Sequence, residues 1–423
     1  MQQGHARDLE IGKTFRPIVL GADVLGYSYT RQFHETYGVN SIVLAKQNVK
    51  FTSCSRFNDY RVMDCVDHEE ELFDYLEHTI LPECQAEGRK PLLIASGDWY
   101  AEIFSKNKPR LEQLGFAVPY NDFDLFNVIT MKEKFYGYCA KLGMPYPKTW
   151  LVPCGEGLDP IDGIDFISDD VIDNHEYPMI AKPANSAEWH YAEFEGKSKI
   201  HIVKTPAEMK KLIADVKASS YSKYLLVQEM LASRDDSLHS VTVFCEHGEM
   251  ALGRTGHVLV QDRSATGIGN PLVILGENRT DLLEHAARFC REVGYEGYGN
   301  LDVMEDAEGN SRFLEINARP GRNTFYMSLA GVPFVKPIVE KFVCGNDVRE
   351  TLSAEELACD RPFLFCVPPF DIVRKEVTDP QLKADVNKAI ADGVAKSPLI
   401  NKDDCLKQRL YATVNRINYH SKF

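Results

Sequence analysis

The segment 299–322, GNLDVMEDAEGNSRFLEINARPGR, concentrates side chains that could do chemistry. Asp302 lies in an apolar run, Glu315 and Asn317 alternate with Leu314 and Ile316, and Arg319 and Arg322 follow directly. Residues two apart on a strand share a face, so Glu315 and Asn317 point one way while Leu314 and Ile316 point toward a core. The run 299–304 reads as one strand, 305–310 as a polar turn and 312–317 as the returning strand. If the two pair, Asp302 lies beside Glu315 and Asn317, making a cluster of hard oxygen ligands. Magnesium takes carboxylates together with substrate phosphates and water, and two ions sharing Glu315 would neutralise phosphate charge. The arginines beyond suit an anionic substrate or transition state. For one isolated carboxylate, an acidic hairpin facing water is the plainer reading. The interleaving with apolar residues and the two arginines favour a site.

The rest of the chain must position these groups, and it divides into three blocks and a tail. In the first block, 17–20, 41–45 and 91–95 read as strands, and 27–37 and 69–86 as helices. Such alternation predicts an α/β architecture with a parallel sheet, whose ligands bind beyond the carboxyl ends of the strands. Loops 21–26 and 97–100 are therefore candidate pocket loops. The second block opens at Thr130, which with Glu133 fits a capping box for a helix ending at Gly143, before Pro145 and Pro147. Strand signals follow at 149–152, 179–181 and 225–228. The third block has strands at 240–245, 250–253, 301–304 and 312–316, with a helix expected from a Thr280 cap to Gly294. In the tail, Asp379-Pro380 signals a helix start.

The 423 residues suffice for two or three domains, and 44% apolar with 26% charged residues is ordinary for a folded soluble protein. The formal net charge of -14 argues against general affinity for nucleic acid or anionic membranes. No apolar run reaches membrane-spanning length, and residues 1–10 lack the apolar core of a secretory signal. The 11 cysteines are scattered without a Cys-x-x-Cys pair, as expected of reduced, buried thiols in a cytoplasmic protein. Gly12-Lys13-Thr14 is not a P-loop, because Arg7 stands where the first glycine is needed. Gly267-Ile268-Gly269 lacks the strand–turn–helix context of a dinucleotide fingerprint.

The order of Asp302, Glu315-x-Asn317 and Arg319-x-Gly321 resembles the metal-binding end of the ATP-grasp superfamily. Upstream signals agree. Lys132, ahead of Gly143-Met144-Pro145, resembles the first ATP-contacting lysine, and Lys182, in Pro178 to Pro183, the second. Gln228-Glu229-Met230-Leu231 resembles the hinge that receives adenine, and Asp236 an acidic position holding ribose hydroxyls, with Asp235 adjacent as an alternative. The resemblance covers roughly 130–345. It implies a Rossmann-like domain over 1–125, an ATP-grasp N-lobe over 126–230, a C-lobe with the metal site over 231–345, and a C-terminal extension over 346–423. Two departures stand out. The segment 183–190 lacks the glycines common in the phosphate lid, and Asn300 stands where D-alanine–D-alanine ligases carry an arginine. Lys182 to Ser186 and Gly-Asp-x-Tyr-Ala-Glu over 97–102 are similar to D-aspartate ligases of peptidoglycan branch formation.

The resemblance implies an ADP-forming ligase with ATP as co-substrate and two magnesium ions, manganese being an alternative. A carboxylate, that of D-aspartate, would be phosphorylated and passed to the lysine or ornithine side chain of a muramyl peptide precursor. Asp302, Glu315 and Asn317 would hold metal, and Lys132, Lys182, Glu229 and Asp236 would hold ATP. Arg319 and Arg322 would be catalytic, and Arg254 and Arg263 would contact substrate. Neither nucleic acid nor membrane insertion is expected. The rivals are an ATP-grasp ligase for another amino acid or small peptide, and a non-catalytic nucleotide-binding regulator.

Overall fold

The computed structural model describes residues 2–231, 236–264, 267 and 269–423. Asp235 and Ile268, named above, lie outside the described residues. The chain forms two compact units: one of Met1–Phe126, Leu238–Asn300 and Asn317–Phe423, the other of Asn127–Ser237 and Leu301–Ile316.

In the first unit, β1 (Phe15–Leu20), β2 (Ser41–Ala45), β3 (Asn58–Val62) and β4 (Lys90–Ala95) pair in parallel, in the order β3-β2-β1-β4. Parallel strands are covered on both faces, so their apolar runs are continuous rather than alternating. β1, β2 and β4 show this, while β3 at the edge is only half-buried. The polar sequence of β3 explains why apolar patterning alone passes over it. The helix Val24–Tyr37 opens on Asp23, whose carboxylate accepts from Gly26 N, and closes at Gly38 in the left-handed region. Gly21, at φ 95°, follows β1; a Cβ there would meet Ser96 Oγ at 1.9 Å, so only glycine serves.

The helix expected over 69–86 is interrupted. Glu69–Tyr75 and Leu81–Ala86 flank a π-helical turn, Leu76–Ile80. Pro82 has no N–H to give and its ring crowds the carbonyl four residues back, while Leu81 N donates to Leu76 O, five residues back.

In the second unit, β5 (Thr149–Pro153), β6 (Met179–Pro183), β7 (His201–Val203) and β8 (Tyr224–Glu229) form an antiparallel sheet in the order β5-β8-β6-β7. Trp150, Met179, Leu225 and Val227 pack with Met209, Leu212 and Val216 of helix Pro206–Ala218. The capping box expected at Thr130 does not form. Thr130 ends a preceding helix, Phe123–Thr130, its hydroxyl donating to Asn127 O at 3.4 Å, and the next helix begins at Lys132 behind Met131. That second helix ends, as expected, at Gly143.

The third sheet contains β9 (Leu238–Glu246), β10 (Glu249–Gln261), β11 (Pro271–Glu277), β12 (Gly297–Glu305), β13 (Ser311–Asn317), β14 (Leu364–Cys366) and β15 (Ala395–Lys396). Its order among the described residues is β13-β12-β9-β10-β11-β14-β15. β10 runs well past the expected 250–253, because Arg254, Gly256 and His257 interrupt its apolar pattern without breaking its pairing with β9. Thr280 is not the cap of the following helix but its first residue. Arg279 is the capping position, and its N–H is taken by Thr255 Oγ1 at 3.0 Å.

The core of the first unit joins β1, β2 and β4 with helix Val335–Phe342 and the tail; Tyr29 and Phe334, for example, pack with ring centroids 4.9 Å apart. Within the tail, Asp379 caps helix Pro380–Ala391, accepting from Gln381 N and Leu382 N as expected. Asp404, 6% exposed, is held deep in the unit. It accepts from Tyr27 Oη at 2.9 Å, Ser55 Oγ at 2.6 Å, Arg56 N at 3.0 Å and Cys405 N at 2.7 Å. Among the described residues, no helix is long and apolar enough to cross a membrane.

Asp404→Asn puts two donors where four donors already converge. Hydrogen bonds to charged groups contribute about 1.5–3 kcal/mol each, so the variant should lose about 2–4 kcal/mol of unfolding free energy in urea titrations. A loss below about 0.5 kcal/mol would show that the tail is not anchored here.

Candidate functional site

Two groups of side chains stand out, one in each unit. In the second unit Glu315 projects from β13, and Lys132 meets it from the first turn of helix Lys132–Leu142 as an ion pair. Lys182 comes from β6. Its Nζ donates to Tyr136 Oη at 3.3 Å and lies 5.6 Å from the centre of that ring. Tyr136 Oη donates in turn to Leu314 O at 2.8 Å. Tyr136 was not foreseen; it stands four residues after Lys132 and so on the same helical face, which was the available signal.

The charges are coupled. Burial alone would push the Glu315 carboxyl up, but Lys132, then Lys182 and Lys199, outweigh it and hold the group below its usual range. Burial lowers Lys132, yet Glu315 and, more weakly, Tyr136 and Asp302 leave its ammonium above its usual value. Lys182 makes no ion pair with Glu315; burial and then the Lys132 charge outweigh the Glu315 attraction and bring it down to about 8. A carboxylate faced by more than one lysine leaves positive charge over, which is what a polyphosphate requires.

Asp302 lies on β12 and Asn317 at the end of β13, with Asn317 Nδ2 donating to Asn300 O at 3.5 Å. Among the described residues no three His, Cys, Asp or Glu side chains gather as a metal site. In the second unit Asp302 and Glu315 are carboxylates, hard oxygen donors of which Glu315 is kept ionised. This fits magnesium, which completes its shell with phosphate oxygens and water. Glu229 ends β8; its Oε1 accepts from Lys148 N at 2.8 Å. Asp236 sits in the turn before β9.

The first unit holds the other group. Arg319 forms a forked pair with Asp98, at 2.7 and 2.8 Å, and donates to Pro320 O at 2.8 Å. Burial lowers its pKa, but Asp98 more than restores it, so the cation is secure. Arg322 lies 3.7 Å from Asp23. Both arginines line a cavity of about 380 Å³ with Asp23, Ser96, Asp262, Ser264, Gly267, Asn270 and Lys422. Asp23 and Ser96 come from the loops after β1 and β4, the carboxyl ends where pocket residues were expected. Asp262 and Lys422 were not foreseen.

The remaining candidates are placed otherwise. Arg254 is buried on β10, its guanidinium 5.6 Å from the centre of the Phe363 ring. Arg263 pairs with Glu376 at 2.9 Å and lies 5.1 Å from the centre of the Phe423 ring.

No protein-family model matches the chain. The D-aspartate ligase of Enterococcus faecium (strain Aus0004) is 28% identical over 346 residues, covering 80% of this chain and 79% of that protein. The D-alanine–D-alanine ligase of Pseudomonas entomophila (strain L48) is 31% identical over 155 residues, covering 34% of this chain and 43% of that ligase. Solved structures share the fold at low identity. The biotin carboxylase domain of Hydrogenobacter thermophilus 2-oxoglutarate carboxylase, in complex with MgADP, ADP and bicarbonate, superposes with TM-score 0.57 at 16% identity, covering 83% of this chain and 73% of that one. The L-amino acid ligase from Bacillus licheniformis gives 0.51 at 12%, covering 78% and 74%. These likenesses show a multidomain α/β fold of the ATP-grasp kind.

Two outcomes test the second-unit cluster. Glu315→Gln keeps the side-chain shape but removes the charge, and should cut turnover about a hundredfold or more; because it leaves Lys132 without its counter-charge, it should also lower the unfolding midpoint without abolishing folding. Near-native turnover at limiting magnesium would sink the assignment. The Lys182 ammonium is charged below about pH 8 and lost above it. Bound phosphates favour the charged form, so ADP binding should take up a proton above that pH. Affinity should then fall up to about tenfold per pH unit between pH 8 and 9. Calorimetric titrations of the native protein and Lys182→Met check this, the slope being expected only in the native protein.

Proposed function

We propose that this chain, an ATP-grasp ligase joining a carboxylate to an amine with release of ADP, takes D-aspartate as donor. Its acceptor is the lysine or ornithine side-chain amine of a muramyl peptide precursor. The observation that carries the phosphoryl chemistry is the part-buried Lys132–Glu315 ion pair with Lys182, held on Tyr136, as a second ammonium close enough to act on the same carboxylate. The donor is supported by the likeness to a D-aspartate ligase over about four-fifths of both chains, and by the mixed charges around Arg319 and Arg322.

In this reading a carboxylate oxygen of the donor attacks the γ-phosphorus of ATP. The bond from that phosphorus to the β-γ bridging oxygen breaks, leaving an acyl phosphate and ADP. The acceptor amine, arriving neutral, then attacks the acyl carbon; phosphate leaves and the nitrogen gives up a proton. Positioning and charge neutralisation supply most of the rate. Lys132 and Lys182 hold phosphate oxygens. The 228–231 backbone receives adenine, with Glu229 at the strand end, and Asp236 takes the ribose. Asp302, Glu315 and Asn317 would hold magnesium, which when bound neutralises phosphate charge. Arg319 and Arg322 hold the carboxylate that is not activated or the developing anion. In this reading the reaction takes place in the cytoplasm, where ATP and a soluble precursor would meet.

A dipeptide-ligase reading is weaker. Asn300 Oδ1 accepts from Ser240 Oγ at 2.8 Å and Thr242 Oγ1 at 3.0 Å, so the side chain where that group carries arginine is here held by two hydroxyls of β9.

The test is ADP release by the purified protein with D- and L-amino acids against lysine- and ornithine-containing muramyl pentapeptides, with product mass. D-Aspartate should be the preferred donor, adding one aspartyl residue to the side-chain amine. ADP release with other amino acids but never with D-aspartate would remove the donor assignment while leaving the ligase in place.

A further inference from the structure

Residues 419–423 are far in sequence from every motif discussed above, yet they reach the cavity of the first unit. Tyr419 is buried, Lys422 N donates to Tyr419 O at 3.0 Å, and Lys375 Nζ donates to Phe423 O at 2.8 Å. Arg263, paired with Glu376, covers the Phe423 ring. These contacts fix Lys422 so that its Nζ reaches Asp262 Oδ2 at 3.3 Å and Ser264 Oγ at 3.4 Å. The Asp262 carboxylate is 3% exposed, and its other oxygen accepts from Ser264 N at 2.9 Å and Ser264 Oγ at 2.6 Å. Asp262 is therefore anchored without the lysine. Lys422, a third exposed, makes only long contacts to it and faces the cavity alongside Arg319 and Arg322.

The cavity thus presents three cations, Arg319, Arg322 and Lys422, with two carboxylates, Asp23 and Asp262, and its volume is in the range of small-ligand sites. Charges of both signs at close quarters suit a zwitterion. Asp98 already holds Arg319 and Arg322 lies beside Asp23, which leaves Lys422, in long contact with an Asp262 that Ser264 anchors, as the cation open to a further carboxylate. We propose that Lys422 is a specificity-determining residue that binds the non-activated carboxylate of a dicarboxylic amino acid, exchanging its long contact to Asp262 for a substrate oxygen. The assignment rests on the ligase reading above and gives residues 419–423 a part in choosing the substrate. A neutral group in place of that carboxylate leaves Lys422 facing no counter-charge but Asp262, so the site rejects it.

With the side-chain carboxylate taken as the one activated, the test compares D-aspartate with its α-amide, which keeps that carboxylate but lacks the other, in native protein, Lys422→Met and Lys422→Arg. The native protein should prefer D-aspartate strongly. Lys422→Met should raise KM for D-aspartate about tenfold or more, the size of one lost charge-assisted hydrogen bond. KM for ATP and the unfolding midpoint should stay unchanged, the α-amide should be little affected, and Lys422→Arg should restore most of the preference. An unchanged KM for D-aspartate in Lys422→Met would overturn the assignment while native ADP release keeps the ligase reading. Equal losses for both substrates would show a merely structural lysine and also overturn it. If the native protein releases no ADP with any amino acid, the ligase reading fails and this inference with it.

Discussion

The second unit depends on a distant piece of chain coming back to it. Leu301–Ile316 is separated in sequence from Asn127–Ser237, yet the two form one compact body. Phe313 N donates to Pro145 O at 2.8 Å and Glu305 N to Ser237 O at 2.8 Å, while Tyr136 reaches Leu314 O. The Lys132–Glu315 ion pair completes the return. A part-buried carboxylate without a counter-charge would be costly or would protonate, so helix, strand and carboxylate are placed together or not at all. The groups that hold the returning hairpin are the groups proposed to meet phosphate and metal, which makes the site a consequence of how the unit closes.

Surplus charge follows from the same arrangement. Glu315 neutralises Lys132, but Lys182 remains facing a tyrosine hydroxyl and ring, and its depressed pKa records the cost of an unmatched buried ammonium. In the proposed reading, that cost is offset when the nucleotide phosphates arrive. Polar and charged groups left imperfectly paired in this way contribute little to the stability of the empty protein and much to the binding of a complementary ligand.

The first unit works differently, by packing the 346–423 tail into a core shared with the parallel sheet. Asp404 holds Tyr27, Ser55 and Arg56, drawing the tail onto β1–β3 and their helices, and β14 adds to the edge of the large sheet beside β11. The cavity residues therefore come from widely separated parts of the chain: the loops after β1 and β4, the β10–β11 connection, the residues after β13, and the end of the tail.

Local patterning by itself determined the parallel sheet, three of the four strands of the second unit though not their direction, and the helix stops at Gly38, Gly143 and Gly294. Each is a short-range consequence of backbone geometry, apolar period or the left-handed tolerance of glycine, and so is written within a few residues. The helix starts at Thr130 and Thr280 were misread because a cap is settled by competitors outside the motif: a preceding helix claimed Thr130, and Thr255 on a neighbouring strand satisfied Arg279. Edge strand β3 carried no apolar run to find. Tyr136 beneath Lys182, Asp98 on Arg319, and Lys422 at the cavity were decided only by tertiary structure. Charge partners far apart in sequence are chosen by which elements pack together, and no local spacing encodes that choice.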